Sequence, residues 1–175
     1  MSYAILIPGK SNSTRLPGKN FMDFNGKPLI DHTIEFAKKF EYPIYVSTDV
    51  RDFKRDGCIT ILRPNFIGKD IDMRIVVEHA VTKIKEDNII LLQVTSPLRE
   101  VEMIERCIHA FQYREKNIVI VNGYTLVPNG YCFIFPKFKY IWDHDIYVIS
   151  MGKSPDIDYI WDFRIAEAIA RGDYS

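Results

Sequence analysis

Apolar residues along this chain come in short runs separated by longer, one-sided stretches, and the alternation predicts strands and helices in turn. Tyr3 to Ile7 is a continuous apolar run that fits a buried strand, and it breaks at Pro8-Gly9. Phe21 to Phe24 predicts a short strand turned by Asn25-Gly26. Pro28 then opens a helix with Leu29, Ile30, Ile34, Ala37 and Phe40 on its apolar stripe. Ile44 to Ser47 and Cys58 to Leu62 read as the next two strands. A helix over Met73 to Ile84 would turn Ile75, Val76, His79, Ala80 and Ile84 inward. Asn88 to Leu92, apolar along its length, is expected at the covered centre of a sheet. Val101 to Tyr113 predicts another helix and Ile118 to Val121 another strand.

Beyond Val121 the rhythm changes. Tyr131 to Phe135 and Ile146 to Ile149 read as strands with no full helix between them, which predicts a mixed edge. Ile160 to Ala170 closes the chain as a helix with Ile160, Phe163, Ile165, Ala166 and Ile169 facing the core. The whole predicts an α/β fold, doubly wound around a mostly parallel sheet, as one domain over residues 1–175. In such a sheet the ligand site lies at the carboxyl ends of the strands.

Composition narrows the classes. At 175 residues and 47% hydrophobic the chain fills one proper core. The formal net charge is zero, which argues against a nucleic acid or an anionic membrane held by bulk electrostatics. No apolar run approaches the ~20 residues of a membrane span, and no signal-peptide pattern opens the sequence. Cys58, Cys107 and Cys132 are odd in number and far apart, so free buried thiols in a reducing, cytoplasmic setting are expected. No C-x-x-C or H-x-x-x-H spacing supports zinc.

Two stretches carry candidate chemistry. After the first strand, Lys10, Arg15 and Lys19 stand in a loop of small residues with no acid before Asp23. Gly9 and Gly18 allow the backbone to turn closely, so its N–H groups can join those cations around an anion. Gly9-Lys10-Ser11 mimics the end of a P-loop, but the first glycine of that motif falls on Ala4 and the strand leaves no loop to wrap phosphates. The bland alternative is a solvated loop with idle charges. The second stretch is Ser154-Pro155-Asp156-Ile157-Asp158, with Asp162 four residues on. Two aspartates flanking one apolar residue point the same way when extended and can reach one hard cation such as Mg2+. Its alternative is a helix start at which Asp158 or Asp162 favours the dipole.

Taken in order, I-P-G-K-S-N-S-T-R-L-P-G-K-N, K-P-L-I-D-H-T-I, V-S-T-D, L-R-P, L-L-Q-V-T-S-P-L-R, N-G-Y-C-F-I-F and P-D-I-D-Y-I-W-D resemble the cytidylyltransferases that activate acidic sugars, the makers of CMP-sialic acid and CMP-KDO. S-T-R-L-P-G-K is nearer the KDO branch. L-L-Q-V-T-S-P-L-R, V-S-T-D and L-R-P are nearer the N-acylneuraminate branch, which therefore weighs more.

The resemblance implies a Rossmann-like nucleotide-diphospho-sugar transferase fold. It also implies attack of a sugar's anomeric hydroxyl on the α-phosphorus of CTP, with pyrophosphate leaving. By the same likeness Lys10, Arg15 and Lys19 hold the triphosphate, with Gly9 and Ser13 in the same loop, and Asn20 and Arg63 contact cytidine. Asp156 and Asp158 hold Mg2+, Asp158 also helping to deprotonate the hydroxyl. Gln93, Asn129 and Tyr131 fall on the sugar side with Phe133, although strand core is the weightier reading for Tyr131 and Phe133. Ser13 and Ser96 double as local caps, and His79 takes no role.

Two departures from the pattern stand out. Lys10 replaces an arginine, keeping charge but losing the bidentate fork. Asn122 to Pro128 replaces a long excursion that in the family completes the sugar pocket and joins two subunits, so homodimerisation is in question. Three readings stay open: a transferase acting on an acidic sugar, a nucleotide-binding module without turnover, and a sugar nucleotidyltransferase using another base.

Overall fold

The structure, a computed structural model, describes residues 1–11, 13–64, 72–114, 117–122, 128–137, 146–151 and 156–173. Ser154 and Pro155, the interior of the Asn122 to Pro128 connection, and the side chain of Asn129 lie outside that description.

Strand β1 (Tyr3–Gly9) is buried along its whole length. A 3-10 turn (Lys19–Phe21) leads into the hairpin of β2 (Asp23–Phe24) and β3 (Lys27–Pro28). Asn25 and Gly26 turn that hairpin at φ 49 and 92, the left-handed values that an Asn-Gly turn accepts. Helix α1 (Leu29–Ala37) starts one residue after Pro28 and stops short of Phe40, which packs beyond its end. The chain continues through β4 (Ile44–Thr48), β5 (Cys58–Leu62), α2 (Met73–Val81), β6 (Asn88–Leu91), α3 (Val101–Arg114), β7 (Asn117–Asn122), β8 (Pro128–Pro136), β9 (Ile146–Met151) and α4 (Ile160–Arg171).

Seven strands form one sheet in the order β5-β4-β1-β6-β8-β7-β9. β5, β4, β1 and β6 pair in parallel, β8 runs antiparallel to both β6 and β7, and β9 returns parallel to β7. The mixed region thus falls on the predicted side, with its reversed strand two places in from the β9 edge. Tyr131 to Phe135 are buried on both faces, and so apolar a strand needs neighbours on either side.

Successive residues of the central strands enter opposite layers. Ile5, Ile7, Ile90 and Ile134 join Ile34, Cys107 and Phe163 of α1, α3 and α4. Ala4, Leu6, Ile89, Leu91 and Phe133 join Val77, Ala80 and Val81 of α2. This is the two-residue period of a strand covered on both faces, and it accounts for the unbroken apolar runs.

The helix faces differ in part from expectation. In α2 the inward side is Val76, Val77, Ala80 and Val81, while Ile75 is exposed. In α4 Phe163 and Ala166 are buried, but Ile160 and Ile165 are exposed. A polar contact explains the rotation. Glu167 is buried, and its Oε1 and main-chain carbonyl accept from the backbone N and Nδ2 of Asn25 at 3.4 and 3.2 Å. Turning Glu167 toward the hairpin brings Phe163 and Ala166 inward at helical spacing and sends Ile165 outward.

Phe163→Ala is expected to destabilise the fold by about 3–5 kcal/mol, whereas Ile165→Ala stays within about 0.5 kcal/mol. Denaturant unfolding of the two variants checks this, and equal losses would contradict the observed face.

Candidate active site

The loop after β1 is tied at several points. An added Cβ on Gly9 would lie 2.5 Å from Ile30 Cδ1, so the glycine there admits α1 against the strand. It is not among the positive-φ residues, which corrects the expectation that Gly9 serves a turn. Gly18, at φ 71, does serve one, capping the turn that carries Lys19. Ser11 donates its backbone N–H and its hydroxyl to the two oxygens of Asp49, both at 2.7 Å, and Asn20 Nδ2 donates to the Lys10 carbonyl at 2.9 Å.

From this tethered loop two cations reach the far end of the chain. Arg15 Nη1 donates to Asp158 Oδ2 at 2.5 Å, and Lys19 Nζ reaches Asp158 Oδ1 at 3.2 Å. Lys19 is only 7% exposed and also donates to the Ile157 carbonyl. Burial pushes its pKa down, and the Asp158 carboxylate works against that push. Ile157 is itself buried, and its N–H donates to the Thr95 carbonyl beyond β6 at 2.9 Å, which fixes the Asp-Ile-Asp segment beside the sheet edge.

Asp162 takes the helix-start role, its Oδ2 accepting from the backbone N–H groups of Asp158 and Tyr159 at 3.1 and 2.8 Å. Asp158 is thereby left to the cations. Asp156 opens on the same cleft. The protein packed around its carboxyl raises its pKa; the Thr95 hydroxyl opposes this, Asp158 adds to it, and Lys19 and Arg15 oppose it again.

The remaining wall comes from other strand ends. Arg63 follows β5, is 6% exposed, and donates from Nη2 to the Ser47 carbonyl at 2.9 Å. Burial lowers its pKa, with Asp49 opposing. Arg63 Nε and Ser13 Oγ are buried without a hydrogen-bond partner, the condition of groups awaiting a ligand or water.

A cleft of about 210 Å³ is lined by Lys10, Ser13, Arg15, Lys19 and Asn20 of the first loop, and by Arg63, Gln93, Asp156 and Asp158. All nine were singled out in the sequence. Tyr131 is not among the lining residues: it is fully buried, its hydroxyl accepts the Glu100 N–H at 2.6 Å, and it serves packing. Phe133 is likewise core. Met73 and Val76, which also line the cleft, have no distinguishing mark in the sequence, since apolar helix positions look like core, and Thr95 lies in the L-L-Q-V-T-S-P-L-R motif without a role of its own there. Asp49 ends the V-S-T-D motif, which gives it no role.

Among the described residues no group of three or more metal-ligating side chains occurs. Two carboxylates in a cationic cleft do fit magnesium, which takes one or two carboxylates and completes its shell with phosphate oxygens and water.

Residues 4–149 match the family described as cytidylyltransferase. CMP-N,N'-diacetyllegionaminic acid synthase of Legionella pneumophila is 32% identical over 142 residues, covering 74% of this chain. The chain spans about three fifths (61%) of that relative's length. The structure of CMP:2-keto-3-deoxy-manno-octonic acid synthetase complexed with CTP aligns with a TM-score of 0.81 at 15% identity, over 99% of this chain and 100% of that one. Rv0371C of Mycobacterium tuberculosis, solved as a complex with manganese, aligns with a TM-score of 0.69 at 12% identity over 94% and 97%. At these identities the structural matches establish the fold.

The tether at Asp49 has a pH signature. Burial raises its carboxyl, but the two Ser11 bonds, its own backbone N–H and the Arg63 charge together carry it below the ordinary 3.8. The bonds are therefore intact above that value and are lost as pH falls through the lowered one. In proton-detected spectra the Ser11 amide shift is expected to titrate with a midpoint below 3.8, and Asp49→Ala abolishes the titration. A midpoint at or above the ordinary value would contradict the tether.

Proposed function

The chain belongs to the cytidylyltransferase family, and from that premise we propose that it transfers a cytidylyl group from CTP to an acidic sugar of the N-acylneuraminate type, releasing pyrophosphate. The observation that carries this reading is the meeting of Arg15 and Lys19 with Asp158, beside Asp156, in one cleft at the carboxyl ends of β1 and β6.

In this reading the sugar's anomeric oxygen bonds to the α-phosphorus of CTP while the bond from that phosphorus to the bridging oxygen breaks. The hydroxyl proton passes to a carboxylate of the Asp156–Asp158 pair. Lys10, Arg15 and Lys19 bear on the phosphates and take up the charge that develops on the departing pyrophosphate. Ser13, with its free buried hydroxyl, adds a donor to the same chain of phosphates. Gly9 holds the loop close to α1 and acts only through position. Asn20 and Arg63 face the cytidine, and the unpartnered Arg63 Nε supplies a donor for a base or ribose oxygen. Gln93 and Asn129 stand on the sugar side.

Asp156 and Asp158 would hold a divalent ion, Mg2+ in our reading, which supplies charge neutralisation between the phosphates. Arriving phosphates offer Arg15 a competing anion, and Arg15, more than half exposed on its side chain, is free to swing to it. That exchange releases one Asp158 oxygen for the ion. In our reading the acceptor side is built by Gln93 after β6 and by β8.

Pyrophosphate release over a panel of nucleotides and sugars tests the assignment. Release is expected with CTP and an acidic sugar, to be lost with a chelator and restored by Mg2+ or Mn2+. Arg15→Ala is expected to fold normally and to lower turnover by about 10²-fold. Release with no acidic sugar, or only with another nucleotide, would refute the proposal, as would an Arg15→Ala enzyme of full activity.

A further inference from the structure

Arg99 sits at the end of the Thr95-Ser96-Pro97-Leu98-Arg99 segment, buried at 8% exposure, and the bonds of its guanidinium go to main-chain carbonyls. Nε donates to Tyr131 at 2.7 Å, Nη1 to Ser96 at 2.5 Å, and Nη2 to Gln93 and, at 3.2 Å, to Gly130. The guanidinium carbon also lies 5.7 Å from the centre of the Tyr131 ring. Gln93 and Ser96 belong to the turn after β6; Gly130 and Tyr131 belong to β8. One planar fork thus staples two segments far apart in sequence, a task for which a lysine has too few fixed donors. Burial lowers the Arg99 pKa to about 10, which still leaves it charged at neutral pH.

Gly130 completes the staple from the other side. Its φ of 71 already favours glycine, and a Cβ there would fall 2.9 Å from both Cδ and Oε1 of Gln93. The Gln93 side chain therefore lies flat on a bare α-carbon, while its own N–H donates to the Gly130 carbonyl at 3.1 Å. The same Gln93 lines the cleft with Asp156 and Asp158.

Building on the transfer reaction proposed above, we propose that Arg99 and Gly130 are positioning residues which hold the Gln93 carboxamide preset, so that this staple, rather than any contact of its own with substrate, sets recognition of the acceptor sugar. A carboxamide presents one acceptor and two donors, suited to a sugar's hydroxyl and carboxylate oxygens. Packing on Gly130 and a backbone held at both its N–H and its carbonyl restrict that side chain before the ligand arrives, so less rotamer entropy is lost on binding. The cations that meet the triphosphate lie on another loop, so the Gly130 side of the staple reaches Gln93 alone, whereas the turn that Arg99 holds also carries Thr95, whose carbonyl fixes Ile157 between the two aspartates.

Steady-state kinetics on the full chain separate the two substrates. Gly130→Ala and Arg99→Lys are each expected to raise the acceptor-sugar KM about tenfold or more, as misplacement of a substrate contact does, and in Gly130→Ala the CTP KM stays within about twofold of wild type. CTP calorimetry on each variant reports a folded nucleotide side. Should Arg99→Lys fail to fold, Gly130→Ala carries the test with a double-variant cycle. In a Gln93→Ala background the Gly130→Ala change is expected to raise the acceptor KM by much less than in wild type, because the Cδ and Oε1 it displaces are gone and only the Cβ, 3.1 Å from the added methyl, remains. An acceptor KM that stays put in Gly130→Ala, a KM for CTP that rises in parallel, or the same further rise in the Gln93→Ala background would each overturn the staple's role. A wild-type enzyme silent with every acidic sugar would instead overturn the transfer reaction, and this assignment with it.

Discussion

One carboxylate bridges the two ends of the chain. Asp158 accepts from Arg15 and Lys19, positions 143 and 139 residues earlier, and the cleft exists because of that convergence. Lys19 is buried, so its charge is costly without a partner, and removal of one member of such a pair commonly costs about 3–5 kcal/mol. The pair therefore holds the Asp-Ile-Asp segment in place, helped by the Ile157 backbone bond to Thr95. It also concentrates positive charge around a polar cleft without neutralising it, since Lys10 adds a further cation and the carboxylates number two. Charge of this kind suits a ligand that brings both phosphates and a divalent ion.

The sheet makes this geometry possible. β1, β4, β5 and β6 run in parallel, so the chain leaves all four at one edge, and each exit contributes to the cleft or its support. The loop after β1 carries the cations, Asp49 after β4 tethers that loop, Arg63 follows β5, and Gln93 follows β6. The reversed β8 delivers Gly130 and Tyr131 to the same edge from the opposite direction, where Arg99 joins them to the turn after β6. A parallel strand in that place would have brought its other end.

Much of the site was readable along the chain because its residues carry chemistry that is out of proportion to their surroundings. Three cations without an acid, an aspartate pair and an arginine after a strand are all local imbalances. Tyr131 lies next to Asn129-Gly130 on the side the resemblance gives to the sugar, yet its apolar strand makes core the weightier reading, and its ring is fully buried. Met73 and Val76 have unremarkable sequence neighbourhoods, and Asp49, though it closes V-S-T-D, shows nothing of its partner Ser11; their places depend on which strand lies beside which.

The amino-acid sequence by itself determined the strand and helix alternation, the Asn25-Gly26 turn and the identity of the charged loop, because backbone sterics and apolar periodicity act over a few residues. Only the tertiary structure decided which face of α4 is buried, since Phe163 finds Phe24 and Glu167 finds Asn25 on the hairpin, partners the helix's own pattern does not name. It alone decided, too, that Asp158 meets Arg15 and Lys19 while Asp162 caps the helix. Such pairings are made by strand order, and no local pattern encodes distances between segments that far apart.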